Sequence, residues 1–379
     1  MPSAIVLGGG IAGSAAGLAL VQAGWQVRVS ERAARLEAVG GALSLWSNAM
    51  AALARLDVVE VVRRSGMPFT TILVADRGGR PIIPPRRVDG EAMLVTRSDL
   101  LHALVDALPS DALVLGREVA GVEEHSSGAL LHFSDGRTAQ ADLIVDAGGL
   151  RSVAAEPDAV SYRGYGGVVA LSDPVDGDGL DGLAAEYWGW GERFGLFELT
   201  GKRRYWFYMR DQRAGADPPN YGEVAARAMR YLPIVSRAVG ATPPGGLIPF
   251  SIHARTVPRD FGRGHVVRVG DAAHAMEPNL GQGACQALED AVALGAAART
   301  HAPNEIASVV ARLRLKRVGY IVRRAAEGRH GAHGSLAKQW LARSLLQAMP
   351  SIVTDRVVQS IQTMPSYSAE ATASARTRA

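Results

Sequence analysis

Hydrophobic positions near the start of the chain predict a strand, a helix and a second strand. Ala4-Ile5-Val6-Leu7 is a short apolar run of the kind found in a buried strand, and a turn of three glycines follows it. Small apolar residues continue from there to Ala23, after which Gln26–Ser30 alternates polar and apolar side chains. This order of elements predicts a βαβ unit.

The pattern changes along the rest of the chain. Short stretches rich in Thr, Ile and Val predict antiparallel strands in residues 68–95 and more short strands in 111–146. A helix is predicted from about Ser98, and the chain after Gly281 is predicted to be mostly helical with a frayed end. Residues 160–258 hold most of the aromatic side chains, which predicts an antiparallel sheet whose aromatics line one face or fill a core.

Composition is that of an ordinary globular protein. The 379 residues suffice for two or three domains, and 47% hydrophobic and 21% charged residues are close to average. The net charge is +4 without a dense run of Lys or Arg, so neither a nucleic-acid partner nor a membrane partner is expected. With no signal peptide, no apolar stretch of ~20 residues and a single cysteine, Cys285, we expect a cytoplasmic protein without an intrachain disulfide.

A GxGxxG sequence, Gly8 to Gly13, joins the first strand to the helix. Gly8 permits the tight turn, Gly10 lets the backbone approach a pyrophosphate, and Gly13 allows helix and strand to pack closely. The first helical turn, which includes Ala12, presents unpaired N–H groups and the positive end of the helix dipole to the phosphates. The motif therefore predicts a dinucleotide site.

An acidic residue narrows the choice of nucleotide. Glu31 ends the second strand, eighteen residues after Gly13, where a carboxylate can accept both ribose hydroxyls of an adenosine. A carboxylate there disfavours a 2′-phosphate, so FAD or NAD is predicted rather than NADP. Arg32, the next residue, is included in the predicted nucleotide site.

A second motif separates these two nucleotides. Residues 270–291, GDAAHAMEPNLGQGACQALEDA, resemble the GD…P…GxG…ED signature of class A flavoprotein monooxygenases, which include salicylate-, urate- and zeaxanthin-type hydroxylases and epoxidases. The resemblance covers most of the chain and implies FAD. It implies that Asp271 binds the ribityl chain, and that the segment from Pro278 to Ala284, with Gly281 and Gly283, places amides against the N1–O2 edge of the flavin. A helix N-terminus stabilises the negative charge that a reduced flavin carries there.

Three further matches extend this frame. The loop from Val39 to Asn48 resembles the segment that passes the flavin edge in the family, with Gly41 and Ser44 as the implied contacts. Arg97 matches an arginine near the cofactor linkage. Val119 lies where relatives contact adenine through the backbone.

The resemblance implies an α/β fold in which a Rossmann-like FAD-binding domain of the glutathione-reductase type carries an inserted antiparallel-sheet substrate domain and C-terminal helices. The FAD-binding domain is expected in residues 1–75, 98–159 and 261–303. The substrate domain is expected in residues 76–97 and 160–260, and residues 304–379 are expected to form the helices and the frayed tail.

One segment departs from the family pattern. Where the family reads D-L-[IL]-x-x-A-D-G-x-x-S-x-x-R, Gly148 replaces the second aspartate and Ala155 replaces the arginine. The family's aspartate is implicated in the use of NAD(P)H. Asp146 and Arg151 lie nearby, but a residue two positions away on a strand keeps the same face without the same reach. Slow direct reduction by NAD(P)H is therefore predicted.

By resemblance, reduced FAD and dioxygen form a flavin hydroperoxide that transfers one oxygen to an electron-rich small molecule. The site must exclude water, because the hydroperoxide otherwise collapses to hydrogen peroxide. The substrate pocket is expected between the flavin and the sheet of residues 160–258. Its candidate residues are Arg193, Trp206, Tyr208, Met276 and Pro278.

Arg193 lies near the position of a catalytic arginine in urate-type relatives, where it would hold an anionic or carbonyl-bearing substrate. Those relatives carry an aspartate in place of Asn279, which argues against urate itself. Packing in a core explains each pocket candidate equally well.

Other interpretations stay open. Gly148 also fits an FAD enzyme fed by a separate reductase or an oxidase, and Gly148 with Ala155 fits a relative that binds flavin without catalysis. His274 and Glu277 lack a third ligand for a metal, so no metal is expected, and Cys285 fits packing better than nucleophilic chemistry. The partner is expected to be a small, aromatic substrate, and the chain to be a monomer or a homodimer.

Overall fold

The computed structural model describes residues 1–36, 40–154, 160–176 and 180–367. Within these ranges the strands are Ser3–Leu7 (β1), Gln26–Ser30 (β2), Ala42–Leu45 (β3), Met67–Pro68 (β4), Thr71–Asp76 (β5), Pro81–Arg87 (β6), Met93–Thr96 (β7), Leu113–Val114 (β8), Val119–His125 (β9), Gly128–Phe133 (β10), Thr138–Ala141 (β11), Leu143–Asp146 (β12), Val160–Leu171 (β13), Leu183–Trp188 (β14), Glu192–Glu198 (β15), Arg204–Asp211 (β16), Ile248–Arg255 (β17), Gly262–Arg263 (β18) and Val266–Arg268 (β19). The α-helices are Ile11–Gln22 (α1), Ser47–Arg55 (α2), Val59–Ser65 (α3), Arg97–Val105 (α4), Tyr221–Ala228 (α5), Pro233–Gly240 (α6), Asp271–His274 (α7), Gly283–Ala298 (α8), Pro303–Gly328 (α9), Leu336–Ala348 (α10) and Ser351–Gln362 (α11).

A six-stranded sheet has the order β18-β19-β12-β1-β2-β8. Its pairs are parallel except for β18 with β19. β1 is buried on both faces, as expected for the central strand of a parallel sheet covered by other elements. The predicted strand, helix and strand at the start of the chain are confirmed as β1, α1 and β2.

Small residues let two helices approach this sheet closely. α1 is apolar nearly all round and packs against α8, where a Cβ at Gly295 would lie 3.1 Å from Ala19. A helix was predicted from about Ser98, whereas α4 begins at Arg97. Its cap is the Thr96 hydroxyl, which accepts a hydrogen bond from Asp99 N at 3.1 Å.

A seven-stranded sheet has the order β17-β13-β16-β15-β14-β5-β6 and is antiparallel except for the pair of β14 with β5. The antiparallel sheet predicted in residues 160–258 is confirmed, but two of its strands, β5 and β6, come from earlier in the chain. Two helices in this segment, α5 and α6, were not predicted. They cover one face of the sheet with a separate hydrophobic cluster.

Two three-stranded sheets, β3-β7-β4 and β11-β10-β9, complete the strands. The long helix α9 packs on α8, and α10 packs against β6. No helix in the described ranges is both long and apolar enough to cross a bilayer. The boundaries of the predicted domains stay a prediction.

A buried ion network holds α8 and α9 together. Arg314 on α9 has no exposed side-chain surface, and it lies 2.5 Å from Glu289 Oε2 and 2.7 Å from Asp290 Oδ1. Arg317 adds two hydrogen bonds to Glu289, each of 2.7 Å. Burial alone would raise the pKa of both carboxyls, but the arginines and, for Asp290, His274 outweigh it and hold each pKa below its ordinary value.

We expect Arg314→Met to lower the free energy of unfolding by about 3–5 kcal/mol, because it leaves two carboxylates buried without their main partner. A carboxyl whose folded pKa is depressed stabilises the protein above its unfolded pKa of roughly 4, and this contribution is lost as pH falls through the folded value. Arg314→Met lacks this contribution, so the difference in stability between parent and variant should be largest near neutral pH and should shrink as the pH falls and the parent's carboxyls become protonated. Urea unfolding across an acidic pH series measures this, with the exposed Arg312→Met on the same helix as the control. Equal unfolding of parent and Arg314→Met would contradict the assignment.

Candidate active site

A cavity of about 1110 Å³ lies between the six-stranded and seven-stranded sheets. Pockets for one small ligand typically measure ~300–1,000 Å³, so this cavity has room for more than one molecule. It brings together both motifs found in the sequence. Of the predicted cofactor residues it is lined by Gly8, Gly10, Ala12, Glu31, Arg32, Ser44, Arg97, Val119, Asp271, Gly281, Gly283 and Ala284.

The glycine turn has the geometry that a dinucleotide requires. Gly8 has φ +93°, and a Cβ at Gly13 would lie 1.9 Å from Gly8 O, so the helix meets the strand too closely for any side chain. A Cβ at Gly10 would meet no atom within 4 Å and would instead fill the cavity. Gly13 therefore serves packing, whereas Gly10 keeps space open in front of the α1 N-terminus.

Glu31 is fixed at the end of β2 beside this turn. Its Oε2 accepts a hydrogen bond from Gly9 N at 2.7 Å, and its Oε1 accepts one from Ala33 N at 2.9 Å. The carboxylate is thus oriented by the backbone at the edge of the cavity. This position suits the ribose contact implied by the resemblance.

Donors without partners converge where α8 begins. The first backbone hydrogen bond of this helix runs from Gln286 N to Gln282 O, so the earlier amides, including those of Gly283 and Ala284, precede the helical ladder. A Cβ at Gly283 would meet no atom within 4 Å. Trp46 Nε1 also lines this region, is buried and has no hydrogen-bond partner among the described residues. These donors suit an electron-rich group such as the edge of a flavin.

The remaining predicted cofactor residues are placed differently. Asp271 and Arg97 present exposed side chains to the cavity. Gly41 does not line it, because a Cβ there would lie 2.4 Å from the ring of Tyr205, which covers it. The predicted loop begins at Val39, which lies outside the described residues.

Together these observations fit FAD. Two helix N-termini, an oriented carboxylate and two glycines that keep space open all border one cavity that is long enough to join β2 to α8. His274 Nε2 contacts Asp290 at 2.6 Å, while Glu277 bonds Tyr165 and Arg163, so these two side chains face different partners. Burial raises the pKa of the Cys285 thiol to about 12, which favours its packing role.

The segment that departs from the family pattern is held by Asp146. This carboxylate accepts hydrogen bonds from Gly148 N at 3.0 Å and from the Ser152 hydroxyl. Its burial raises its pKa, and these bonds oppose that shift. A Cβ at Gly148 would lie 3.1 Å from Asp146 Oδ1, so Asp146 occupies the space beside the position of the missing aspartate. Arg151 lines the cavity, and Ala155 lies outside the described residues.

Two of the predicted catalytic residues lie on the wrong face of the sheet. Strand alternation turns Trp206 and Tyr208 away from the cavity into the cluster beneath α5 and α6, where Trp206 Nε1 bonds Thr242 at 2.9 Å. Their neighbours on β16 face the cavity instead, namely Tyr205, Phe207 and Met209. The sequence contains this alternation but does not say which face looks toward the flavin.

The other candidates border the cavity. Met276 and Pro278 line it directly. Arg193 lies behind the wall with only 1% of its surface exposed. Its Nη2 donates to Asn279 Oδ1 at 2.6 Å and its Nη1 to Glu186 Oε2 at 3.2 Å, and both of these acceptors line the cavity.

Glu186 lines the cavity but was not predicted from the sequence as a site residue. It lies on β14 and also accepts a hydrogen bond from Trp188 Nε1 at 2.8 Å on Oε2. Its Oε1 accepts no hydrogen bond within the described ranges, and the side chain keeps 23% exposure on the cavity side. Only its even spacing from Trp188 signals a shared face, and no motif marks it.

The sequence also gave no sign that the C-terminal helices close the cavity. Apolar side chains of α10, α11 and the link between them form part of its wall, namely Leu346, Met349, Val353, Val357, Val358 and Ile361. They oppose the aromatic face of the sheet. The substrate end of the cavity is therefore enclosed largely by apolar groups.

Known proteins match along nearly the whole chain. A family model described as FAD binding domain matches residues 2–306. The aurachin C monooxygenase/isomerase of Stigmatella aurantiaca is 32% identical over 95% of this chain and 98% of the relative. The 2-heptyl-3-hydroxy-4(1H)-quinolone synthase of Pseudomonas aeruginosa is 27% identical over 95% of this chain and 97% of the relative.

A solved structure is similar along nearly the whole length of this chain. Klebsiella pneumoniae HpxO, crystallised with FAD and uric acid, superimposes with a TM-score of 0.83 and 26% identity, covering 95% of each chain.

We expect Gly10→Val and Asp271→Ala to fold but to be isolated with little bound flavin. The first fills the space in front of α1, and the second removes a carboxylate that faces the cavity. Flavin absorbance per protein and the thermal midpoint measure this, because bound ligand stabilises the folded state. Gly121→Val is a matched control, since a Cβ there also meets no atom within 4 Å, and Gly121 does not line the cavity. Full flavin content in both site variants would show that the cofactor is misplaced.

Proposed function

The chain belongs to the FAD-binding family that includes monooxygenases such as its 32% identical aurachin C relative, and from this premise we propose that it hydroxylates a neutral aromatic compound carrying an aliphatic chain. The observation that carries the proposal is the largely apolar wall of the cavity, in which Glu186 is already paired with the buried Arg193. Arg86 and Arg324 also line the cavity, and each is paired with a carboxylate, Asp355 and Glu327 respectively. Family membership establishes the type of reaction, and the substrate is the part that we propose.

Charge at the substrate end argues against an anionic substrate. Arg193 is buried, and its guanidinium is engaged by Glu186, Asn279 and Met209 Sδ. Its positive charge is thus already offset by a carboxylate, and Asn279 adds none. A substrate carboxylate placed beside Glu186 would meet repulsion instead of a free cation. Of the two kinds of substrate predicted for Arg193, anionic or carbonyl-bearing, this ion pair disfavours the anionic one.

Glu186 supplies a specific acceptor. Both hydrogen bonds it receives fall on Oε2, and Oε1 is left for a ligand. A ring N–H or a phenol O–H would satisfy it, and burial would strengthen that bond. We therefore propose that Glu186 orients the aromatic ring of the substrate through such a group.

The apolar wall has room for a flexible substituent. Phe197, Tyr205 and Phe207 provide aromatic surface, and the C-terminal helices provide aliphatic surface opposite them. The quinolone synthase among the relatives is named for a product with a heptyl chain on an aromatic N–H heterocycle. A compound of this general kind matches both the acceptor and the wall.

The remaining chemistry is divided between cofactor and protein. When bound, reduced FAD supplies the electrons that activate dioxygen. The first-turn amides of α8 would stabilise negative charge at the flavin edge, and Asp271 would hold the ribityl hydroxyls. The apolar walls exclude water, and Glu186 holds the substrate proton at a fixed place. Burial raises the pKa of Tyr205, so this cavity residue stays a neutral phenol.

We further propose the finer fold description given above, a glutathione-reductase-type FAD-binding domain with an inserted substrate domain. The parallel sheet around β1 and the antiparallel sheet around β16 support this division. NAD(P)H is the donor typical of the family. A separate reductase is a second proposal, favoured only by Gly148.

The substrate proposal predicts a dependence on chain length. For 2-alkyl-4(1H)-quinolones used as probes, each added methylene should lower KM until the cavity is filled, since burying one methylene is worth about 0.8 kcal/mol. A benzoate of similar ring size should be a poor substrate. Initial rates of product formation over a range of probe concentrations give KM, and a flat series or a preferred benzoate would refute the proposal.

Glu186→Gln gives the residue-level arm of the same assay. We expect KM for the quinolone probes to rise by roughly one to two decades, the usual effect of losing a charge-assisted bond, with flavin content unchanged. Glu198→Gln is the matched control, because Glu198 faces the buried Arg204 at 3.2 Å on the same sheet but does not line the cavity. Equal effects of both variants would indicate a structural role only.

Direct reduction by NAD(P)H should be slow in this protein. Asp146 occupies the space beside Gly148, so Gly148→Asp alone would place two carboxylates together, and Asp146→Asn with Gly148→Asp should speed reduction by about tenfold or more. Anaerobic stopped-flow bleaching of the flavin band, with and without a quinolone probe, measures the rate. Asp146→Asn alone is the control. Reduction of the parent at ~10 per second or faster would show that Gly148 is harmless.

A further inference from the structure

We infer that α10 and the start of α11 form a lipid-docking face through which an apolar substrate reaches the cavity. The inference rests on the proposed function only for the identity of that substrate. The occupant we propose is the surface of a bilayer containing anionic lipid. The term docking face is used below for Leu336, Trp340, Leu341, Leu345 and Ile352.

The polarity of α10 is inverted relative to an ordinary surface helix. Its large exposed side chains are apolar, with Leu336 exposed by 66%, Trp340 by 64% and Leu345 by 57%, and the exposed Lys338 and Gln347 lie among them. Helices on globular proteins normally turn such residues inward and polar residues outward. A contiguous exposed apolar surface of this kind marks a site of interaction.

Polar side chains hold the inner side of the same helix. Gln339 accepts a hydrogen bond from Gly191 N at 3.1 Å and donates one to Gly334 O at 2.7 Å. Arg343 donates to Gly331 O at 2.8 Å and lies 4.0 Å over the ring of Trp190. These bonds fix the orientation of α10, so its apolar side cannot turn inward without breaking them.

The docking face leads into the cavity. Met349 and Val353 lie on either side of Ile352 in sequence, both are exposed, and both line the cavity. Leu346 and Val357, on α10 and α11, line the cavity further in. One continuous apolar path therefore joins the outer surface of the C-terminal helices to the substrate end of the cavity.

Charge favours a lipid surface over a second copy of the chain. Residues 336–354 contain no Asp or Glu, Lys338 is exposed, and Asp355, the next residue, is paired with Arg86. Exposed apolar side chains that include a tryptophan, with a lysine beside them, suit the interface of a membrane that contains anionic lipid. A second copy seated there would cover Met349 and Val353 and close the path, whereas a bilayer would supply an apolar substrate to it. The expectation of no membrane partner rested on the absence of a basic run, which this kind of docking does not need.

Flotation of the FAD-loaded full chain with vesicles tests this inference without any substrate. We expect the protein to float with vesicles of equal parts phosphatidylcholine and phosphatidylglycerol, and less with phosphatidylcholine alone. Leu341→Glu with Leu345→Glu should reduce the partition coefficient by about tenfold or more, because two apolar side chains no longer enter the interface. Ile352→Glu, on the next helix, provides an independent second variant.

Met229→Glu is the matched control, since Met229 is 74% exposed on the other side of the sheet. Flavin absorbance and the thermal midpoint verify that each variant is folded. A parent that stays unbound, or variants that float as well as the parent, would overturn the inference. Loss of a dimer in the variants, with no vesicle binding by the parent, would assign the face to a second copy. Failure of the quinolone assay with normal flotation would count against the proposed substrate alone.

Discussion

Asp290 is the residue on which the flavin end of the site depends. One of its oxygens accepts a hydrogen bond from Gly270 N at 2.9 Å and contacts His274, and the other accepts one from Arg314. Through these bonds Asp290 joins the residue that follows β19, the helix α7 that carries Asp271, and the long helix α9. Since Asp290 lies on α8, the N-terminus of that helix and Asp271 are held in one fixed relation. The cost of burying this carboxylate is offset because His274 and Arg314 are buried with it.

Glu289, its neighbour in sequence, extends the same arrangement to another wall. It receives hydrogen bonds from Arg314, from Arg317 and from Asn48, the last at 2.7 Å. Asn48 lies on α2 and is the last residue of the segment that is predicted to pass the flavin edge. The acidic pair that ends the second motif therefore acts as a structural anchor, behind the cavity and not in it. Its inclusion in the motif follows from the need to position groups that do face the cofactor.

The seven-stranded sheet serves a core on one face and a site on the other. Phe194, Trp206 and Tyr208 pack under α5 and α6, while Phe197, Phe207 and Met209 face the cavity. Both sets are apolar, so neither face is distinguished by hydrophobicity. What distinguishes the cavity face is the pair formed by Arg193 and Glu186, whose charges cancel inside an apolar surface. The flavin end obtains its positive potential from helix termini. At the other end Arg193 is offset by Glu186, and the lining residues Arg86 and Arg324 are paired with Asp355 and Glu327.

Several features of the fold and of the site can be predicted from the sequence alone. Local backbone geometry and close approach impose specific residue types at fixed spacing. The sequence alone therefore predicts the strand, glycine turn and helix at the start of the chain, the carboxylate of Glu31 and the segment from Asp271 to Ala284. FAD and the class of reaction followed from the resemblance of residues 270–291 to class A flavoprotein monooxygenases. The sequence also contained the period of two along β16, which separates Tyr205, Phe207 and Met209 from Trp206 and Tyr208.

Only the tertiary structure decided which of those two sets faces the cavity, since alternation fixes relative faces and long-range packing of α5 and α6 selects between them. Glu186 and the wall formed by α10 and α11 lie far in sequence from the motifs they complete, and no local rule relates such distant positions. The space beside Gly148 is likewise occupied by Asp146 through the path of one loop. Short-range sterics can be read from a sequence, whereas the meeting of distant side chains depends on the packing of the whole chain.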